Sequence, residues 1–294
     1  MTSKIPQIAP EEEIGFMSID ETDFSNMPIG ERIRHFEVEG YTIFPNILSA
    51  SAVRQLKAEL ASAEMDHKSY SEHQTFSKTQ PQWISQSACS LIGHPPMIEF
   101  LTRLLGPEIV FTRGFFQRTH PGSPGIAMHT DGQPYGSNIF GYEGSCPRLV
   151  RVLYYLDELT PNRAPFRLVP RSHLSFHSDA NPYVRYKSHP REITLCMPAG
   201  SAVVIPAMVF HGSHPNKDHQ PRELIQLGYR SAWAGPVQPV EPWPEEAVAI
   251  APEIAKPFLQ DINVSGIAWE QPHKPADMKT DAVGIDPMRW SYES

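Results

Sequence analysis

Residues 201–229 read SAVVIPAMVFHGSHPNKDHQPRELIQLGY. Ser201 to Phe210 is a short, apolar, β-branched run that reads as a strand ending at His211. Arg222 opens a second run of the same kind, continuing to Tyr229, and the residues between the two are of turn type. Upstream, Ile109 to Arg118, Leu149 to Leu156, Phe166 to Val169 and Ile193 to Met197 repeat the pattern. Pro121-Gly122, Thr160-Pro161-Asn162 and Pro198-Ala199-Gly200 punctuate it. Many short strands of this kind suit a double antiparallel sheet, with a jelly-roll as the obvious architecture.

The N-terminal part reads differently. A helix is expected from about Pro28 to Glu39, stopped by Gly40, and Tyr41 to Phe44 reads as a short strand. Ser49 or Ser51 caps a helix carrying Val53, Leu56 and Leu60 at helical spacing. Residues 65–85 read as polar and irregular. A further helix follows Pro95-Pro96, with Ile98, Leu101, Leu104 and Leu105 on one face and Gly106 at its end. The expected organisation is one domain over 1–294. It has an N-terminal arm to about 27, a helical flank over 28–107, a mainly β core over 108–235, and a C-terminal tail or lid over 236–294.

Composition narrows the function classes. The net charge of −8, with no block of Lys and Arg, speaks against nucleic acid and against an anionic membrane surface. No run of about eighteen apolar residues is present, and the acidic N-terminus lacks the apolar core of a secretory signal. Cys89, Cys146 and Cys196 are widely spaced and odd in number, as expected for reduced thiols in a cytoplasmic protein. Thirty prolines favour turns over long helices.

The chemistry concentrates in Met128-His129-Thr130-Asp131-Gly132. In an extended segment residues i and i+2 project to the same side, so His129 and Asp131 offer an imidazole and a carboxylate together. With His211 they make a two-histidine, one-carboxylate facial triad, which leaves positions open on a non-haem iron(II). The pair alone is a weak signal, since chance placement gives roughly half of one His-x-Asp in such a chain. A second copy, His177-Ser178-Asp179, lies in a polar loop and ranks behind it. His35-Phe36-Glu37 sits on an expected helix, where i and i+2 diverge. Arg222 discriminates. Its planar guanidinium can grip a carboxylate through two parallel hydrogen bonds, as the distal carboxylate of 2-oxoglutarate requires, and Ser213 can add a hydroxyl.

His129-x-Asp131, Asn162-Arg163-Ala164-Pro165-Phe166-Arg167-Leu168-Val169-Pro170-Arg171-Ser172-His173, His211-Gly212-Ser213 and Arg222 together resemble the phytanoyl-CoA dioxygenase family, as does Glu39-Gly40-Tyr41-Thr42-Ile43-Phe44-Pro45-Asn46. The resemblance implies a double-stranded β-helix core with iron(II), 2-oxoglutarate and dioxygen. It gives His129, Asp131 and His211 the metal and catalytic roles, and Ser213 and Arg222 the cosubstrate. Arg171 stands where members often have Gly, and Asn162-Arg163-Ala164 where they have Asn-Gly. No counterpart of a lysine that some members use is evident; Thr112, Gln117 or Arg148 can take its place. Asp131 is retained, so hydroxylation of a small molecule is expected rather than halogenation.

Other residues have blander readings. Gln133, Tyr135 and Arg148 are candidates to face the substrate. Arg113, Arg118, Arg148 and Arg151 either line the site or pair with Asp157, Glu143 or Glu158, and pairing is preferred for most. His173 reads as a turn residue, one of Tyr154 and Tyr155 as facing inward, and the tryptophans of the tail as anchors. Two rivals share the ligand set. One is a zinc-dependent hydrolase, which gives Arg222 no task. The other is a non-catalytic small-molecule-binding jelly-roll.

Overall fold

The computed structural model describes residues 17–67, 76–131, 149–174, 188–232, 234–235, 240–264 and 290. Helix α1 (Ile29–Glu39) ends where Gly40 adopts a left-handed conformation at φ 87°, which a glycine takes without strain. Strand β1 (Thr42–Phe44) leads to α2 (Ala50–Leu60), whose first turn is capped by Ser49, Oγ accepting from the Ala52 amide at 3.2 Å. Strands β2 (Asp66–His67) and β3 (Phe76–Thr79) follow, then α3 (Gln86–Ser90) and α4 (Pro95–Leu105).

The remaining strands are β4 (Ile109–Thr119), β5 (Ile126–His129), β6 (Val150–Tyr155), β7 (Phe166–Val169), β8 (Ile193–Leu195), β9 (Ala202–Pro206), β10 (Phe210–Ser213) and β11 (Arg222–Ser231). They form two antiparallel sheets. The larger runs β1-β9-β6-β11-β4-β3-β2 and the smaller β5-β10-β7-β8. This is the mainly β, jelly-roll arrangement expected from the strand pattern. Short α5 (Glu245–Ala249) lies in the C-terminal part. Among the described residues no helix is long and apolar enough to cross a membrane.

The larger sheet is covered on both faces. Val150, Val152 and Tyr154 of β6, with Ile225, Leu227 and Tyr229 of β11, pack against α1, α2 and α4. The alternate residues Leu153, Tyr155 and Leu224 face Phe166, Leu168 and Leu195 of the smaller sheet. Tyr154 and Tyr155 are therefore both buried, on opposite faces. Phe100 is fully enclosed in α4, its ring 5.1 Å from Phe44 and 6.2 Å from Phe36. Phe100→Ala should cost about 3–5 kcal/mol, seen as a lower urea midpoint at unchanged slope. A loss under about 1 kcal/mol would show that this helix is not packed as described.

Two sequence expectations are corrected. Residues 65–85 are not irregular throughout, because Phe76–Thr79 pairs with β4 by backbone hydrogen bonds. Ser201 to Phe210 is not one strand. The chain turns at residues 207–209, so β9 belongs to the larger sheet and β10 to the smaller, with His211 inside β10. Trp243 stacks on Phe111 at 5.5 Å, the anchoring expected of the tail's tryptophans. Trp233 and Trp269 lie outside the described residues.

Candidate metal and cosubstrate site

β10 lies between β5 and β7, and its register sets His211 directly opposite His129. The two imidazoles stand 4.5 Å apart, centroid to centroid. Asp131, two residues past His129, is pinned by its amide, which donates to the Ala207 carbonyl at 2.8 Å in the β9–β10 turn. Asp131 Oδ1 then lies 3.5 Å from His129 Nε2, and Oδ2 lies 3.9 Å from His211 Nε2. One ligand atom from each of the three falls within 4.8 Å of the others, a grouping able to hold a metal ion.

The hydrogen bonds behind the ligands favour that use. His129 Nδ1 is 2.8 Å from the Ala127 carbonyl and His211 Nδ1 is 2.9 Å from that of Val209. A carbonyl only accepts, so each Nδ1 carries the proton and each Nε2 presents a lone pair to the shared point. Burial, aided by His129, pushes the His211 imidazole down to about 4, with Asp131 pulling the other way. His211 is therefore neutral near pH 7, as a metal ligand must be. Burial works to raise the Asp131 carboxyl, but His129, His211 and Arg151 outweigh it and hold it well below the carboxylate range. Phe166 stacks on His211 at 5.5 Å.

Arg222 begins β11 with a buried side chain, its guanidinium carbon 5.6 Å from the Tyr155 ring centre. Nε and Nη1 are enclosed and, among the described residues, have no hydrogen-bond partner. A buried guanidinium with unmade hydrogen bonds is costly, and a carboxylate ligand is the natural way to complete it. The backbone on either side is clamped. Arg163 donates to the Pro221 carbonyl from Nε (3.2 Å) and Nη2 (2.7 Å), while Asp157 Oδ2 accepts from the Glu223 amide at 2.8 Å. Asp157 is shared by Lys57 at 2.6 Å and Arg163 at 2.9 Å, and Glu223 takes Arg118 at 2.6 Å. These residues fit a metal ion at the triad and a dicarboxylate reaching Arg222.

The phytanoyl-CoA dioxygenase (PhyH) family model matches residues 36–224, a span that includes the triad and Arg222. The chain belongs to the phytanoyl-CoA dioxygenase family. It is accordingly an oxygenase of the iron- and 2-oxoglutarate-dependent class. Solved structures share the fold at low identity. HygX from Streptomyces hygroscopicus, with nickel and 2-oxoglutarate bound, aligns at TM-score 0.58 and 15% identity, covering 68% of this chain and 86% of HygX. The carbocyclase SnoK from nogalamycin biosynthesis aligns at 0.57 and 19%, covering 69% and 83%. The epimerase SnoN from nogalamycin biosynthesis aligns at 0.57 and 17%, covering 76% and 94%. No curated protein sequence matches it.

The expected helpers of this PhyH oxygenase scatter. Ser213 ends β10 and its hydroxyl oxygen accepts from the Ile126 amide at 3.1 Å, which leaves the hydroxyl proton free to donate. Gln117 pairs with Leu224, two residues from Arg222 and on the same inter-sheet face. Thr112 is not near Arg222. It sits at the bulge opposite Gly228, six residues along β11, because β4 and β11 run antiparallel. Gln133, Tyr135, Arg148 and the His177-Ser178-Asp179 pair lie outside the described residues.

The pairing expected for the arginines is corrected in its partners. Arg151 donates to Asp131 Oδ2 at 3.1 Å and Arg118 to Glu223, neither of them an acid named from sequence. His173 bonds the Glu37 carbonyl at 2.9 Å, a structural role. Sequence reasoning missed Gln226, whose Nε2 lies 3.4 Å from Asp131 Oδ2. The alternation 222, 224, 226, 228 along one strand face was the available signal.

Proposed function

We propose that the protein hydroxylates an unactivated carbon of a small-molecule metabolite, with succinate and carbon dioxide as co-products. His129, Asp131 and His211 hold iron(II). Arg222, Ser213 and Gln117 hold 2-oxoglutarate. The observation that carries this reading is the pairing of the triad with a buried arginine whose donors are unmet. Bound there, iron(II) and 2-oxoglutarate supply the activation of dioxygen that C–H oxidation needs.

The chain's own residues bind, orient and exclude water. The Ala127 and Val209 carbonyls fix the imidazole tautomers. Arg151 and Gln226 both address Asp131 Oδ2, holding the carboxylate in one rotamer. Phe166 and the inter-sheet cluster keep the His211 side dry. The retained Asp131 leaves no place for a halide at the metal. HygX has been crystallised with hygromycin B, and SnoK and SnoN are named as a carbocyclase and an epimerase, so relatives in fold treat elaborate small molecules differently.

The test is succinate formation by the full-length protein with iron(II), ascorbate and 2-oxoglutarate, against the same protein loaded with zinc. Iron-dependent succinate, suppressed by zinc, is expected. Hydrolysis stimulated by zinc, with no succinate under any condition, would replace this reading by the hydrolase.

A further inference from the structure

At the other end of the β11 interior face lies a second set of unmet donors. Arg151 is 2% exposed, and while its Nε serves Asp131, its Nη1 is enclosed without a partner among the described residues. The Thr112 hydroxyl is likewise enclosed and unpartnered among the described residues. Both flank Gly228, where a Cβ would stand 2.7 Å from Arg151 Nη1 and 2.7 Å from Thr112 Oγ1. Arg113 Cγ lies 3.4 Å from the same point, and the Arg113 side chain is exposed. Among the described residues Arg113 has no ion-pair partner. The charge of Asp131 favours both guanidiniums, and the charge of Arg113 opposes that of Arg151.

Arg151 and Arg113 thus stand on the same strand face at Gly228, whose lack of a side chain leaves room for Arg151 Nη1 and Thr112 Oγ1 to close over it. Asp131 neutralises one of the two positive charges, and a second anion bonding Arg151 Nη1 would balance the other. The cosubstrate does not fill that place on the reading above. One of its carboxylates is used by Arg222, about 20 Å away along β11 at roughly 3.3 Å per residue. Its other carboxylate is used in chelation.

We propose that the primary substrate is an organic acid, and that Arg113, Arg151 and Thr112, grouped around Gly228, hold its carboxylate. This rests on the oxygenase reading of the triad. The planar guanidinium of Arg113 suits a two-oxygen acceptor. Arg151 serves both ligands, bonding Asp131 through Nε and the substrate through Nη1. The acid's carbon skeleton would then lie beside the metal ligand Asp131, where the reacting carbon must be.

The experiment uses the full chain loaded anaerobically with iron(II) and 2-oxoglutarate. A library of organic acids, each paired with its primary amide, is screened for perturbation of the visible metal-to-cosubstrate band. Perturbation should be confined to acids. Arg113→Gln and Gly228→Ala should each weaken the best acid at least tenfold, while Arg113→Gln leaves 2-oxoglutarate affinity within about twofold of wild type. Amides binding as well as their acids, or no acid perturbing the band, would overturn the subsite. A loss of 2-oxoglutarate affinity matching the loss of acid would assign Arg113 to the cosubstrate instead. Absence of the band in wild-type protein is a separate result and falls on the oxygenase reading.

Discussion

Replacing Asp131 by alanine should abolish 2-oxoglutarate turnover and weaken iron(II) binding by about a hundredfold or more, beyond the usual cost of losing an outer hydrogen bond to a ligand. The substitution removes the one anionic member of the triad and, in the same step, the partner of Arg151 at 3.1 Å. Arg151 is buried, so the variant is also left with an unsatisfied cation, at a cost of roughly 1–3 kcal/mol in stability. Asp131→Asn separates the effects. It restores a hydrogen-bond acceptor for Arg151 but supplies a neutral oxygen to the metal. The asparagine variant should therefore melt closer to wild type than the alanine variant, and still turn over less than about one hundredth as fast. Wild-type iron affinity in either variant would remove Asp131 from the metal site.

The second large effect is expected at Arg222. Two charge-assisted hydrogen bonds to a carboxylate, at about 1.5–3 kcal/mol each, correspond to a loss of at least a hundredfold in 2-oxoglutarate affinity for Arg222→Met. The stability change should have the opposite sign from the usual one for a buried residue. Among the described residues Arg222 Nε and Nη1 have no partner, so an apolar side chain of similar length removes buried donors left unmet. Without ligands, Arg222→Met should unfold no earlier than wild type. A large fall in melting temperature would mean that Arg222 is structural. Arg163→Ala should raise the KM for 2-oxoglutarate with little change in kcat, because it frees the Pro221 carbonyl beside Arg222. A fall in kcat at unchanged KM would argue against the clamp.

The elements differ in how far the sequence betrays them. Helix α4 shows its apolar face at helical spacing between Pro95 and Gly106, so both ends and the buried side are legible. Strand β3 is not, because Phe-Ser-Lys-Thr near the sheet edge is held by backbone pairing to β4 and shows little apolar pattern. Strands β9 and β10 fuse into one apolar run because both border packed cores; only the change of sheet at residues 207–209 divides them. Tyr154 and Tyr155 mislead for a related reason: helices cover the face that alternation would give to solvent.

The site follows the same logic. His129 and Asp131 are legible as an i, i+2 pair, and Arg222 by its place at the start of a strand. The contact of Arg151 with Asp131 joins the larger sheet to the residues after β5, and nothing local in either segment announces it. Thr112 and Gln117 lie five residues apart on one strand, yet the antiparallel register sends one toward Gly228 and the other toward Arg222.

The most direct test is anaerobic addition of iron(II), then 2-oxoglutarate, to metal-free protein, followed by the visible charge-transfer band. Wild type should develop the band, His129→Ala should lose it, and Arg222→Ala should need at least a hundredfold more 2-oxoglutarate to reach it. A folded wild-type protein that gives no band would contradict the assignment of His129, Asp131 and His211 to iron and of Arg222 to the cosubstrate.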